Sequence, residues 1–213
     1  MQESFQKTIL DSVSFEGVGL HSGKHCKITI LPGDVDQGII FKRTDLDKNN
    51  LVKAIYDNVS SAKLCTTLEN TFKVKVSTVE HLLAALYIRG IDNAIIEINS
   101  EEVPIMDGSA KDFLKVLKTS ELKILDKKIK FLNILKKVKL ESGKRKISIE
   151  PNESFEVDFQ LNYKNKIIGN QRNNIDFHAD NLNEIIESRT FCLFEDIENI
   201  KKLGLAKGGS LEN

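Results

Sequence analysis

Several features are missing from this 213-residue sequence, and each absence excludes a class of protein. No apolar run approaches the roughly 20 residues that a membrane-spanning helix needs, so stable membrane insertion is not expected. The opening Met1-Gln2-Glu3-Ser4-Phe5-Gln6-Lys7 leads into no apolar stretch of the secretory kind and reads as no signal peptide. Net charge is absent as well. Thirty-one basic residues balance 31 acidic ones, which leaves no global field to draw nucleic acid or an anionic surface. Cysteine is scarce: Cys26, Cys65 and Cys192 are too scattered for a disulfide framework, and a reducing cytoplasm suits them best. The metalloprotease signature H-E-x-x-H does not occur.

What is present is ordinary globular material, 40% hydrophobic and 29% charged, enough for one large domain or two small ones. Residues 7–70 read as β-rich. In His25-Cys26-Lys27-Ile28-Thr29-Ile30 the residues Cys26, Ile28 and Ile30 share one face, as in a half-buried strand. Gly38–Lys42, after a Pro32-Gly33-Asp34 turn signal, and Leu64–Leu68 look like further strands. Gly17-Val18-Gly19-Leu20-His21-Ser22-Gly23 sets three glycines around a histidine. A phosphate cradle is one reading, but no helix follows to supply a dipole. A tight turn carrying one polar side chain is the plainer one. Asn93–Ile98 reads as a strand, Val103–Ser109 as a loop, and about Ala110–Lys118 as a helix.

Residues 120–147 carry Lys127-Lys128, Lys136-Lys137 and Lys144-Arg145-Lys146. Few aromatics interleave with them, so a solvated strand face is expected rather than a nucleic-acid surface. Phe155–Leu161 alternates strictly, and so does Asn174–His178, which puts His178 on a polar face. Short helices are expected near Asn181–Glu187 and Phe194–Leu203, the latter stopped by Gly204. The pattern is α+β: two similar layered domains, the second incomplete. The boundary falls near Leu125–Ile129, giving an N-terminal domain over residues 1–126 and a partial one over 127–213.

The stretch Ser77-Thr78-Val79-Glu80-His81-Leu82-Leu83-Ala84-Ala85-Leu86-Tyr87 holds the chemistry. Val79, Leu82, Leu83 and Leu86 form a helical stripe. Apolar residues on the other side predict burial on both faces, with Gly90 as the C-terminal stop. Glu80 and His81 nonetheless occupy the first turn, and buried ionisable groups are costly without partners. Three readings compete. Ser77 and Glu80 fit a capping box, with His81 a satisfied core histidine. A helix N-terminus also disfavours imidazolium, which would keep His81 able to bind a metal beside a carboxylate acting on water. The third reading is a metal-free acid–base pair.

Seven segments, taken in order, resemble the zinc-dependent UDP-3-O-acyl-N-acetylglucosamine deacetylases of lipid A synthesis in Gram-negative bacteria. They are Gly17–Gly23, Arg43-Thr44-Asp45-Leu46, Leu64-Cys65-Thr66-Thr67-Leu68, Ser77–Leu86, Pro104-Ile105-Met106-Asp107-Gly108-Ser109-Ala110, Ser188-Arg189-Thr190-Phe191 and Gly204-Leu205-Ala206-Lys207-Gly208-Gly209-Ser210. The resemblance implies two α+β domains with helices packed between two sheets. It implies hydrolysis of the N-acetyl amide of UDP-3-O-acyl-N-acetylglucosamine by water, with release of acetate, in the cytoplasm.

By the same resemblance, His81 matches the first Zn2+ ligand and Glu80 the general base. Thr190 matches the hydroxyl that stabilises the tetrahedral oxyanion. Cys65 matches a thiol near the metal, with a small core residue as the plainer reading. His21, with Leu20 beside it, and Gly209 match the substrate side. Phe191, Phe194, Ile197 and Ala206 match an apolar passage for the fatty-acyl chain, against the alternative of a helix's core face. The family continues with an H-K-x-x-D segment that supplies the other zinc ligands, and with a later histidine acting as general acid. This sequence contains neither, and His25 and His178 match no motif. The expectation is therefore a truncated chain, an inactive fragment, or one piece of a split enzyme completed by a separate C-terminal segment.

Overall fold

The strands of the first half alternate apolar and polar residues, and the sheet they build has one wet and one dry face. The computed structural model describes residues 4–211 and 213. In chain order come β1 Phe5–Ile9, β2 Val13–Val18, β3 His25–Pro32, β4 Ile39–Arg43, β5 Leu51–Lys53, β6 Val59–Ser61, β7 Thr67–Glu69 and β8 Lys75–Val76. Helix α1 Glu80–Arg89, β9 Ala94–Ile98, α2 Lys111–Leu117 and β10 Leu122–Lys128 follow. Five strands pair in the order β2-β3-β9-β4-β5, parallel only between β4 and β9. The connection between those two strands carries α1, as a parallel crossover requires.

Cys26, Ile28 and Ile30 of β3, Phe41 of β4, and Ala94, Ile96 and Ile98 of β9 are fully buried. They form one cluster with Leu82, Ala85 and Leu86 of α1 and Phe113, Leu114 and Leu117 of α2. Each such side chain contributes about 1.5–3 kcal/mol by leaving water, so this layer of helices on a sheet supplies the main stabilisation of the unit. Phe113 also meets Phe15 edge-on at 5.3 Å. Smaller sheets, β1-β10 and β6-β7-β8, flank the layer.

Two expectations for α1 are corrected. The helix buries one side only: Ala84 is exposed and Tyr87 is 52% exposed, because only the stripe of Leu82, Ala85 and Leu86 faces the sheet and α2. The helix also begins at Glu80 rather than at Ser77. Its end is as expected, with Gly90 in the left-handed conformation, φ 79°. The strand expected at Leu64–Leu68 starts only at Thr67, since Leu64 has φ 65° and turns the chain.

The later elements are β11 Val138–Ser142, β12 Arg145–Ile149, β13 Glu156–Asn162, β14 Asn170–Asp176, α3 Asn183–Glu187 and α4 Phe194–Lys202. They complete an α+β chain. Two units separate: one runs to Ile129 and takes in Ile186–Asn213, and the other is Lys130–Ile185. The second unit holds two antiparallel hairpins, β11-β12 and β13-β14. Their apolar residues Leu140, Ile147 and Phe159 are all more than half exposed, and Phe155 stacks on Phe177 at 4.9 Å. His178 is exposed, but in the turn after β14 rather than on a strand face.

Candidate active site

The start of α1 is set by a neighbouring strand segment. Ser77 N–H donates to Glu101 O at 2.9 Å and Val103 N–H donates to Ser77 O at 3.0 Å. This bridge holds Ser77 extended, so it cannot cap the helix. The position before Glu80 is Val79, which has helical dihedrals and no side-chain cap. The capping box is therefore not formed. Ser77 Oγ donates instead to Glu101 O, and Glu80 Oε2 accepts the Thr66 N–H at 3.0 Å. Glu80 ties the 64–66 turn to α1, while its Oε1 takes no hydrogen bond among the described residues.

His81 is half-buried. Burial pushes its imidazole below the ordinary value, more strongly than the Glu80 and Asp107 carboxylates raise it. The ring is accordingly neutral at neutral pH, with a lone pair to offer. Asp107 stands in the loop ahead of α2, where its Oδ1 accepts from Ser109 N and Oγ at 3.0 and 2.7 Å. The segment bearing Thr190 docks on the same loop. Thr190 N–H donates to Gly108 O at 2.9 Å, and Ala110 N–H donates to Ile186 O at 3.2 Å. Gly108 takes the left-handed φ of 82° that glycine adopts without strain, and a Cβ there would make only ordinary contact with Thr190 Cγ2, at 3.6 Å. The adjacent Glu80 and His81 and the sequence-distant Thr190 thus share the surroundings of the Asp107 loop. Sequence reasoning gave Asp107 no role, although it lies within one of the family-like segments.

His21 sits on the tight turn its glycines predict, closed by Gly23 N–H to Gly19 O at 3.0 Å. Below it lies Glu102, only 1% exposed. Its carboxylate accepts from His21 N at 2.8 Å, Ser22 N at 2.7 Å and Thr78 Oγ1 at 2.9 Å. Gly19 makes this possible, because a Cβ there would come within 2.5 Å of Glu102 Oε2. Glu102 was missed because a glutamate before an apolar loop carries no signal of burial.

Both nitrogens of the His21 ring are buried and have no hydrogen-bond partner among the described residues. The ring is close enough to the Cys65 thiol for that group to raise its pKa, with Glu102 adding to the effect and burial opposing it. For Cys65, burial pushes upward, but His21, Thr67 and Thr78 together outweigh it and hold the thiol below its ordinary value. Cys65 therefore neighbours His21, and the adjacent Thr66 is the residue bonded to Glu80.

The segment after α4 returns to this loop. Gly208 N–H donates to Leu20 O at 3.0 Å, and Lys207 N–H to His21 O at 3.4 Å. A Cβ on Gly209 would lie 3.8 Å from Leu20 Cδ1. Leu20, His21, Cys65, Ala206 and Gly209 thus gather in one region. Phe191, Phe194 and Ile197 lie on or just before α4. Phe194 is 90% exposed, and none of the three is buried.

Among the described residues no three His, Cys, Asp or Glu side chains gather as metal ligands. A catalytic zinc takes about three protein ligands. His81, with the Glu80 and Asp107 carboxylates nearby but in no three-ligand group, does not by itself fit the ion. Among the described residues no helix is long and apolar enough to cross a membrane.

Comparison with known proteins adds the following. The family model for UDP-3-O-acyl N-acetylglycosamine deacetylase matches residues 6–213. The chain is 41% identical over 211 residues to the UDP-3-O-acyl-N-acetylglucosamine deacetylase of Colwellia psychrerythraea, covering 98% of this chain and 69% of that protein. The enzyme of the same name from Idiomarina loihiensis gives the same identity and coverage. That from Shewanella frigidimarina is 40% identical over 212 residues, with the same coverage.

Proposed function

This chain belongs to the UDP-3-O-acyl N-acetylglycosamine deacetylase family, and we propose on that basis that it contributes the Glu80–His81 half of a lipid A deacetylase site. The substrate is UDP-3-O-acyl-N-acetylglucosamine, and the reaction is hydrolysis of its N-acetyl amide by water in the cytoplasm. The observation that carries the reading is the convergence of Glu80, with one carboxylate oxygen uncommitted, and Thr190 on the surroundings of a neutral His81.

The free oxygen of Glu80 takes a proton from the attacking water as the new C–O bond forms at the acetyl carbon. The Thr190 hydroxyl donates to the oxygen that becomes negative in the tetrahedral intermediate. Collapse breaks the C–N bond while the departing nitrogen takes up the proton that Glu80 removed from water, giving acetate and the free amine. His21, Leu20, Cys65 and Gly209 line the sugar side, and Phe191, Phe194, Ile197 and Ala206 border the acyl chain. His81 is the ligand assigned to Zn2+, whose set the described residues do not complete.

That shortfall favours a second reading, a non-catalytic chain that at most binds nucleotide sugar. The experiment pairs the chain with the C-terminal third of a relative, supplied separately. Acetate release from the UDP-sugar is followed by mass spectrometry, and bound zinc by elemental analysis. The chain alone should bind zinc weakly and turn over little, and the mixture should deacetylate. No turnover in the mixture sinks the deacetylase reading. Tight, stoichiometric zinc on the chain alone sinks the ligand assignment.

A further inference from the structure

Three segments meet around a single buried carboxylate. Residues 18–24 form the His21 turn, residues 77–79 lead into α1, and residues 101–105 carry Glu102. The Ser77–Glu102 and Gly19–Pro104 bridges hold the backbones side by side. Glu102 binds across the gap: Oε1 accepts from His21 N and Thr78 Oγ1, and Oε2 from Ser22 N. All three donors are neutral, and no ion pair reaches Glu102 among the described residues. A buried carboxylate is costly unless hydrogen-bonded. Here both oxygens are engaged, at 2.7–2.9 Å, the range of charge-assisted bonds. Thr78, itself 2% exposed, precedes Glu80 and His81 by two and three residues.

We propose that Glu102 is the positioning residue of the site: it fixes the His21 turn against the lead-in to α1 and so sets where the His21 imidazole stands relative to Glu80 and His81. The role follows from atom count. The site presents donors to both oxygens, so an amide of the same size must turn its NH2 toward one of them. Glu102→Gln therefore sets donor against donor and releases one segment without changing volume. Glu102 touches no reacting atom. Its effect on turnover rests on the reading of His21 and Glu80 as parts of a deacetylase site.

The test uses the full chain, labelled for NMR. In Glu102→Gln, amide hydrogen exchange at His21 and Ser22 should quicken at least about tenfold, and the His21 ring signals should move. Exchange at Ile28 and Ile96 in the central sheet should be unchanged, because the opening is local. Uniform quickening that includes the sheet, or an unmoved His21 ring, overturns the proposal. Should Glu102→Gln not fold, Glu102→Asp carries the same test, since it keeps the charge but falls one methylene short of the three donors.

In the mixture that deacetylates, Glu102→Gln should lower kcat/KM by roughly 10- to 100-fold, as loss of an orienting residue does. That loss should vanish in a His21→Ala background, whereas simple additivity overturns the role. Local release at His21 without turnover from the unaltered mixture would support Glu102 while removing the deacetylase reading. Turnover without local release would do the reverse.

Discussion

Glu80→Gln separates the two jobs of one carboxylate. In the folded chain Glu80 Oε2 accepts the Thr66 N–H at 3.0 Å. Glutamine can offer its carbonyl oxygen to the same donor. The structural loss is then the difference between a charge-assisted and a neutral hydrogen bond, about 1 kcal/mol. Removing an acidic group from the first turn of α1 adds about 0.3–1 kcal/mol through the helix dipole. A total of about 1.5 kcal/mol lowers the melting temperature of a chain this size by about 3–6 °C. If Glu80 also takes the proton from water, the same substitution lowers turnover about 10²–10⁴-fold, equivalent to about 2.7–5.4 kcal/mol at the transition state. Calorimetry on the chain reads the first quantity, and acetate release in the mixture with the C-terminal third of a relative reads the second. A small thermal shift with turnover within about threefold of normal would refute the assignment of Glu80 as base. A thermal shift far above 6 °C would refute the account of the Thr66 bond.

Two further substitutions probe the frame of the site. Gly90→Ala costs about 1 kcal/mol through backbone conformation alone, since φ is 79° and nothing lies within 4 Å of the added carbon. The expected fall in melting temperature is about 2–4 °C, and no fall would mean that α1 ends elsewhere. Asp45 accepts two bonds from Arg43, at 2.8 and 2.6 Å, and the guanidinium holds its carboxyl below the usual 3.8. With the folded pKa depressed, the unfolded chain protonates first. The stabilisation is present above pH 3.8 and is lost as pH falls through the folded value. Asp45→Asn should flatten the pH dependence of urea unfolding below that point, and parallel curves for the two proteins would show that the pair is screened out.

The legible parts of this protein are those governed by short-range periodicity. Alternation identified β3 because it packs a single face, and β4 and β9 were legible as short apolar runs. The left-handed stop at Gly90 followed from what only glycine tolerates. The tight turn around His21 was readable from its glycines. The same logic misread the beginning of α1, where Ser77 and Glu80 have the spacing of a capping box. Ser77 is claimed by a bridge to the 101–103 segment, and Glu80 by the Thr66 amide. Neither partner is near in sequence, so no local pattern carries them. Leu64–Leu68 failed as a strand for the same reason, since the turn at Leu64 serves to bring Thr66 to Glu80.

The sequence by itself settled the α+β class, the family, and which residue types stand ready for hydrolysis, because strand and helix periods and family segments are written in residue order. Only the tertiary structure decided which of those residues meet. It neutralised His81 by burial, brought Thr190 to the Asp107 loop, seated Cys65 beside His21, and sank Glu102 beneath that turn. Burial and hydrogen bonding between segments far apart in the chain depend on the completed packing, and no single stretch of chain encodes them.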